Sequence, residues 1–243
     1  MRLVDSSVHR FPDSSINLLN MKKYERQIAL PEIGEQGQQK IQNARVLIVG
    51  VGGLGSPVAL YLAAAGVGTL HLVDADVVSL SNLGRQILYN TTHLGKPKAT
   101  VAKQVLQDLN PEVQVVPHNV FLDQENAFSL VEKADVVVDC CDNFATRYLL
   151  HDVCKQAGKP LVYGAIEGFE GLLTVFTTES SFTLQQLFDS ATQTPSKAVM
   201  GVTPGVLGSL QANEVLKIIA NYGQVLFNKL LTINLLTNQF HLI

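Results

Sequence analysis

One apolar run ending in a glycine string limits this chain more than any other feature. ARVLIVG (44–50) is rich in β-branched residues and shows no alternation. Such a run suits a strand buried on both faces, as in a parallel sheet covered by helices. It leads into Gly50-Val51-Gly52-Gly53-Leu54-Gly55, a G-x-G-x-x-G string, and then into the small-residue segment LGSPVALYLAAAG (54–66), read as a helix stopped by Gly66. In a strand–turn–helix of this kind Gly50 permits the tight turn, Gly52 lets a phosphate approach, and Gly55 lets helix and strand pack closely. The helix N-terminus offers unpaired N–H groups and a positive dipole end to an anion. Asp74 ends the strand TLHLVDAD (69–76), 19 positions after Gly55, where nucleotide-binding folds hold a ribose hydroxyl. A glycine turn without a ligand is the bland alternative. Strand, helix and acid together argue against it.

The same alternation continues. Residues 35–43 read as a short helix, and 97–109 as an amphipathic helix with Val101, Val105, Leu106 and Leu109 on one face, stopped at Asn110-Pro111. EVQVVPHNV is a strand, 124–133 a helix, 134–139 a strand, 144–157 a helix and LVYGAI (161–166) a strand. Strands and helices at this spacing form right-handed βαβ units. The last third changes character: GLLTVFTT and LLTINLLTNQFHLI alternate like antiparallel strands. Between them lies a helix at 205–221, with Gln211, Glu214 and Lys217 on its polar side, and 179–200 reads as loop. The expected fold is α/β: a Rossmann-like, mostly parallel sheet with helices on both faces and an antiparallel C-terminal extension. Residues 1–20, rich in Ser, Asp and Asn, are expected to be a disordered leader with Met21 a candidate start, and 21–243 a single domain.

Composition excludes several classes. The 243 residues are 47% apolar and 16% charged, which rules out a disordered chain. A net charge of -3 argues against a general nucleic-acid binder. The three cysteines, Cys140, Cys141 and Cys154, have no C-x-x-C spacing and read as buried free thiols. No apolar run reaches the ~18 residues of a membrane span, and the N-terminus lacks a secretory core. A reduced, cytoplasmic, soluble protein is expected, with no membrane or nucleic-acid partner.

Three cations narrow the nucleotide: Arg85 in the loop after Asp74, Lys98 opening the next helix, and Arg26 before the first strand. A dinucleotide's two charges are largely met by the helix N-terminus, so three added cations suit a triphosphate better. Each alone reads equally well as a solvated surface charge. Asp142 follows the fourth strand, at the edge where such sheets bind ligands. A carboxylate there can hold Mg²⁺, and can also cap the helix that starts near Asn143.

The segments RQIALPEIGEQGQQKI, VLIVGVGGLGSPVALYLAAAGVGTLHLVDAD, VSLSNLGRQILY, GKPK, DCCDNFATRY and GVLGSLQANEVLKIIA together resemble the ThiF/MoeB/HesA family, bacterial relatives of the ubiquitin-activating enzymes. The resemblance runs from Tyr24 to the end. It implies ATP- and Mg²⁺-dependent adenylation of the C-terminal glycine of a ubiquitin-fold sulfur-carrier protein ending in Gly-Gly, by a homodimer. Carried over by position, Gly53 contacts the nucleotide within the string from Gly50 to Gly55, and Asp74 contacts the ribose. Ser81, Asn82, Leu83, Gly84 and Arg85 surround the phosphates, with Asn82 and Arg85 as reactive contacts. Lys98 binds phosphate, Asp142 and Asn143 flank the metal and α-phosphate, and Asp76 is a further contact near the acyl site. Arg26 resembles the arginine that reaches across the dimer to the partner's ATP. The short form and the LPEIG, YGAI and TPGV segments look most like ThiF, so thiamine (thiazole) synthesis is the first reading and a molybdopterin-type activator the close rival.

The chain departs from the family pattern in three places. The region of a first zinc C-x-x-C pair reads TTESSFTLQQLF, so zinc is not expected. The crossover-loop cysteine is missing from SATQTPSKAVMG, with Thr194 near its place. Gly84 stands where glutamine is usual. The remaining candidates are weaker. The histidines form no H-x-x-x-H pair, and Tyr163 with Phe169 reads equally as groove floor or core. Competing functions are an NAD-dependent oxidoreductase, which lacks a Tyr-x-x-x-Lys here, a tRNA-modifying dehydratase of the same superfamily, and a non-catalytic scaffold.

Overall fold

A computed structural model describes residues 22–188 and 198–243. The expectations for residues 1–20 and for Thr194 lie outside the described residues.

In chain order the elements are α1 (Glu25–Ile28), α2 (Gly34–Asn43), β1 (Arg45–Val49), α3 (Gly55–Ala65), β2 (Thr69–Val73), α4 (Lys98–Leu109), β3 (Gln114–His118), α5 (Ala127–Val131), β4 (Val136–Asp139), α6 (Phe144–Ala157), β5 (Leu161–Glu167), β6 (Glu170–Phe176), α7 (Leu184–Phe188), α8 (Val202–Ala220), β7 (Leu231–Asn234) and β8 (Gln239–Leu242). They form a sheet ordered β3-β2-β1-β4-β5-β6-β7-β8. Strands β1 to β5 pair in parallel, and β5-β6, β6-β7 and β7-β8 pair antiparallel. The α/β fold with a parallel sheet and an antiparallel extension is therefore as expected.

The continuous apolar runs of β1 and β4 follow from burial on both faces. Val46, Ile48, Leu70, Leu72 and Val138 pack against α3, α4 and α8. Leu47, Val49, Val137 and Leu161 pack against α5 and α6 on the other side. Each fully buried aliphatic of this kind contributes about 1.5–3 kcal/mol relative to exposure. Caps fix where the helices end. Asn143 accepts from Thr146 N at 2.9 Å to start α6, and Gly66 (φ 87) closes α3 in the left-handed region.

Three expectations need correction. Gln211 and Glu214 do not face solvent: they are 0% and 2% exposed. Gln211 Nε2 donates to Asp139 O at 2.8 Å, and Glu214 Oε2 accepts from Leu226 N at 2.8 Å. These polar residues are spent as internal braces, which helical periodicity alone does not distinguish from a wet face. The stretch read as loop also contains α7. Tyr163 is core, 0% exposed, and its hydroxyl accepts from Arg147 Nη1 at 2.6 Å.

Candidate active site

Because β1, β2 and β4 run parallel, the loops after them leave from one sheet edge, and the predicted residues gather there. Gly50 (φ 90) sits so close to the exit of β4 that a Cβ on it would lie 2.5 Å from Cys140 O. A Cβ on Gly55 would lie 2.0 Å from Gly50 O. Both glycines are demanded by the loop itself. Gly52 is not: its nearest neighbour is the flexible end of Gln86, 3.3 Å from an added Cβ. What keeps that side open is an approach from outside, as a phosphate requires. Among the described residues nothing accepts from the N–H groups of Gly52, Gly53 or Leu54, and α3 has no side-chain cap. An anion has donors waiting there.

Asp74 ties this loop to the next one. Its carboxylate accepts from Val51 N at 2.8 Å and from Asp76 N at 2.9 Å. Burial raises its pKa; Lys98 and the two N–H donors work in the opposite direction. The carboxylate is thus fixed at the strand end, with lone pairs left for a ribose hydroxyl. Lys98 is a buried cation, 5% exposed, whose Nζ reaches the exposed Asp76 Oδ2 at 2.9 Å. The ammonium is carried to the mouth on a buried stem and held by a carboxylate that polyphosphate oxygens can replace. Tyr89 OH donates to Val51 O at 2.8 Å and fastens the underside of the glycine loop.

The segment after β2 forms a short 3₁₀ turn, Leu80–Asn82. Asn82 is buried, and its Oδ1 accepts from Ser79 N at 3.0 Å, so its first role is to shape the turn. Arg85 Nη1 donates to Ser81 O at 2.9 Å, and Arg85 Cδ lies 3.8 Å from a Cβ placed on Gly53. The arginine is therefore braced beside the glycine loop. Leu83 packs against the core, whereas Ser81 and Gly84 are exposed. Asp142 is exposed directly after the buried Cys140 and Cys141, and Asn143, not Asp142, caps α6. That leaves the Asp142 carboxylate uncommitted to a cap. Asp142 and the phosphate-facing N–H groups make a donor set suited to a hard cation bridged to phosphate oxygens.

Arg26 is not part of this cluster within one subunit. Its side chain is 95% exposed on α1, whose neighbour Gln27 donates to Ala65 O at the opposite end of α3.

Several residues at this edge were not singled out from sequence. Gln86 is 4% exposed, and its Oε1 has no partner among the described residues, beside Gly52. An orphaned buried acceptor at the glycine loop fits a nucleotide that brings a hydroxyl. Its signal was only its place after Arg85. Gly201 and Pro204, at the start of α8, close over the site: a Cβ on Gly201 would lie 2.1 Å from Gly84 O, and Pro204 is 3.2 Å from a Cβ on Gly53. Asp139 and Arg147 form a buried pair behind Asp142, within a strand and a helix that gave no such hint.

Residues 24–243 match a family model described as the ThiF family. The chain belongs to the ThiF family. This ThiF-family chain is 42% identical over 224 residues to the adenylyltransferase and sulfurtransferase MOCS3 of Xenopus laevis, a match covering 90% of this chain and 50% of that protein. It is 44% identical over 231 residues to the sulfur carrier protein adenylyltransferase of Thermus thermophilus, covering 90% and 85% respectively. It spans about half the length of the MOCS3 relatives it matches. Among solved structures, PaaA superposes with a TM-score of 0.81 at 23% identity, covering 99% of this chain and 77% of that one, which shows the shared fold. Among the described residues no helix is long and apolar enough to cross a membrane.

Proposed function

We propose that this chain adenylates the C-terminal glycine carboxylate of a ubiquitin-fold sulfur-carrier protein ending in Gly-Gly, with ATP and Mg²⁺ and release of pyrophosphate. The observation that carries this reading is the convergence, at one sheet edge, of an uncapped glycine-loop helix, Asp74, Arg85, Lys98 and Asp142. The names of the relatives in Xenopus laevis and Thermus thermophilus support the same chemistry.

In this reading the incoming carboxylate oxygen attacks the α-phosphorus. The bond from that phosphorus to the pyrophosphate oxygen breaks, pyrophosphate leaves with the electron pair, and an acyl-adenylate remains. No enzyme nucleophile is needed, so positioning and charge stabilisation supply the acceleration. Gly50, Gly52, Gly53 and Gly55 cradle phosphate through backbone N–H groups, and Asp74 holds the ribose. Arg85 and Lys98 offset charge on the departing pyrophosphate, within the turn formed by Ser81, Asn82, Leu83 and Gly84. Lys98 exchanges its Asp76 partner for a phosphate oxygen. Asp142, flanked by Asn143, would hold Mg²⁺, which when bound neutralises phosphate charge.

Arg26 serves the second active site of a homodimer in this reading. Its full exposure fits that role, and beside it lies an apolar groove of about 380 Å³ whose lining includes Leu30, Ile33, Leu216 and Tyr222. Thiamine-type and molybdopterin-type carriers have equal support, and a cytoplasmic setting is the working assumption for both.

The decisive experiment is ATP–pyrophosphate exchange with carriers of both types ending in Gly-Gly, alongside NAD binding by the same preparation. Carrier-dependent exchange is expected, and the faster carrier names the pathway. NAD binding without exchange would overturn the reading.

A further inference from the structure

The turn between β4 and α6 is held by a device that the adenylation chemistry does not by itself require. Asp139, 0% exposed, accepts from Cys141 N through Oδ1 at 2.9 Å. From the other side Arg147, 7% exposed, donates through Nη2 to Cys141 O. One peptide group is thus gripped at both its N–H and its C=O, and the next residue is Asp142. The rest of the guanidinium is committed as well: Nη1 donates to Tyr163 OH at 2.6 Å, and the group lies 5.1 Å from the Tyr163 ring centroid. Asn143 closes the turn by capping α6, and Arg147 N donates to Asn143 O at 3.3 Å.

The arrangement is costly. A carboxylate and a guanidinium are both taken out of water, no ion pair within 4.0 Å joins them, and Asp139 Oδ2 has no hydrogen-bond partner among the described residues. Apolar residues of similar volume would hold the fold as well or better. Charges retained at such a cost, and spent on one peptide beside the site, are best explained by what that peptide carries.

We propose that Arg147, together with Asp139, is a positioning residue for the adenylation site: by clamping the Cys141 peptide it fixes where Asp142 stands at the sheet's carboxyl edge. The inference rests on the adenylation reading of Asp142. Arg147 touches neither nucleotide nor carrier and acts only through the turn. Tyr163 orients the guanidinium from behind and has a lesser part, because its removal leaves the bond to Cys141 O in place.

The test compares Arg147→Lys, Arg147→Gln and Tyr163→Phe in the full chain, by ATP–pyrophosphate exchange with a Gly-Gly carrier and by calorimetric binding of Mg·ATP. In Arg147→Lys the exchange kcat is expected to fall about tenfold or more, with KM for ATP within about threefold, as for lost transition-state positioning. Arg147→Gln, which keeps one donor for Cys141 O, falls between it and the parent. Tyr163→Phe stays within about threefold. In an Asp142→Asn background Arg147→Lys should cost nothing further. Unchanged kcat in both Arg147 variants, additive losses with Asp142→Asn, or loss of the folded circular-dichroism signal in both Arg147 variants would overturn the proposal. A parent chain that exchanges no pyrophosphate would instead refute the adenylation reading itself.

Discussion

The two halves of the sheet obey different rules. In the parallel half, all four residues of β4 are buried, as are four of the five in β1. In the antiparallel half, β8 is exposed at every position, with Phe240 and Leu242 more than half uncovered. Helices cover both faces of the first half and stop short of the second. The difference also decides where chemistry can sit. Parallel strands deliver every following loop to the same edge, so glycine loop, Asp74 turn and Asp142 turn meet. Antiparallel strands deliver their loops to alternate ends and gather nothing. The site is therefore a product of strand direction as much as of residue type.

The largest effect should separate the halves by stability. Leu47→Ala, in a fully buried strand, should cost about 2–5 kcal/mol, the range for large-to-small core changes. Phe240→Ala should cost less than about 1 kcal/mol, because its ring is already half in water. Urea unfolding measures both. A loss at Phe240 as large as that at Leu47 would mean that the extension is part of the core after all.

Function should divide the same way. Arg85→Ala removes a cation braced against the glycine loop and should lower pyrophosphate exchange on the order of 10²-fold. Phe240→Ala should leave exchange per folded molecule unchanged. Unaltered exchange in Arg85→Ala would remove Arg85 from the reaction, and with it the main electrostatic reason for assigning a triphosphate.

Most of the parallel half was legible in the sequence because one pattern governed it. Burial on both faces forces apolar runs, tight turns force glycine, and the predicted 144–157 helix is the observed α6. Legibility failed where a polar residue does internal work. Gln211 and Glu214 look like solvent-facing residues until the loops they brace are seen, and Gln86 looks like the residue after Arg85 until its acceptor is found stranded by the glycine loop. Asp139 and Arg147 are far apart by element and meet only because β4 and the first turns of α6 fold back on one another. Pairings across elements leave no periodicity to read.

His71 and His118 are another such pairing, and they supply a smaller effect. Their ring nitrogens approach to 3.1 Å on neighbouring strands β2 and β3. Burial lowers both pKa values below 6.5, with His118, Lys133 and Arg45 adding to the shift at His71 and Lys133 at His118. Arg45 is itself paired with Asp135 at 3.0 Å. The unfolded chain therefore takes up protons first as pH falls. The stability these neutral histidines contribute is fully present above the unfolded value and is lost as pH drops through the lowered folded values. His71→Gln should lose less Tm than the parent between neutrality and about pH 5. An equal loss would show that the acid sensitivity resides elsewhere.

The smallest effect is expected at Gly84, and it bears on how tightly the site is built. Family resemblance places a glutamine here. The structure gives this glycine no steric reason: a Cβ on it meets nothing within 4 Å, and its φ is not in the left-handed region. Its carbonyl is what matters, because Gly201 packs against that oxygen so closely that a Cβ on Gly201 would lie 2.1 Å away. Gly84→Gln should therefore leave exchange within about twofold and stability within about 0.5 kcal/mol, as for an open surface position. Gly201→Ala, by contrast, should push the Ser81–Arg85 turn away from the start of α8 and lower exchange more than stability. If Gly84→Gln proves the more damaging of the two, the turn's side chains and not its backbone contact with α8 set the position of Arg85.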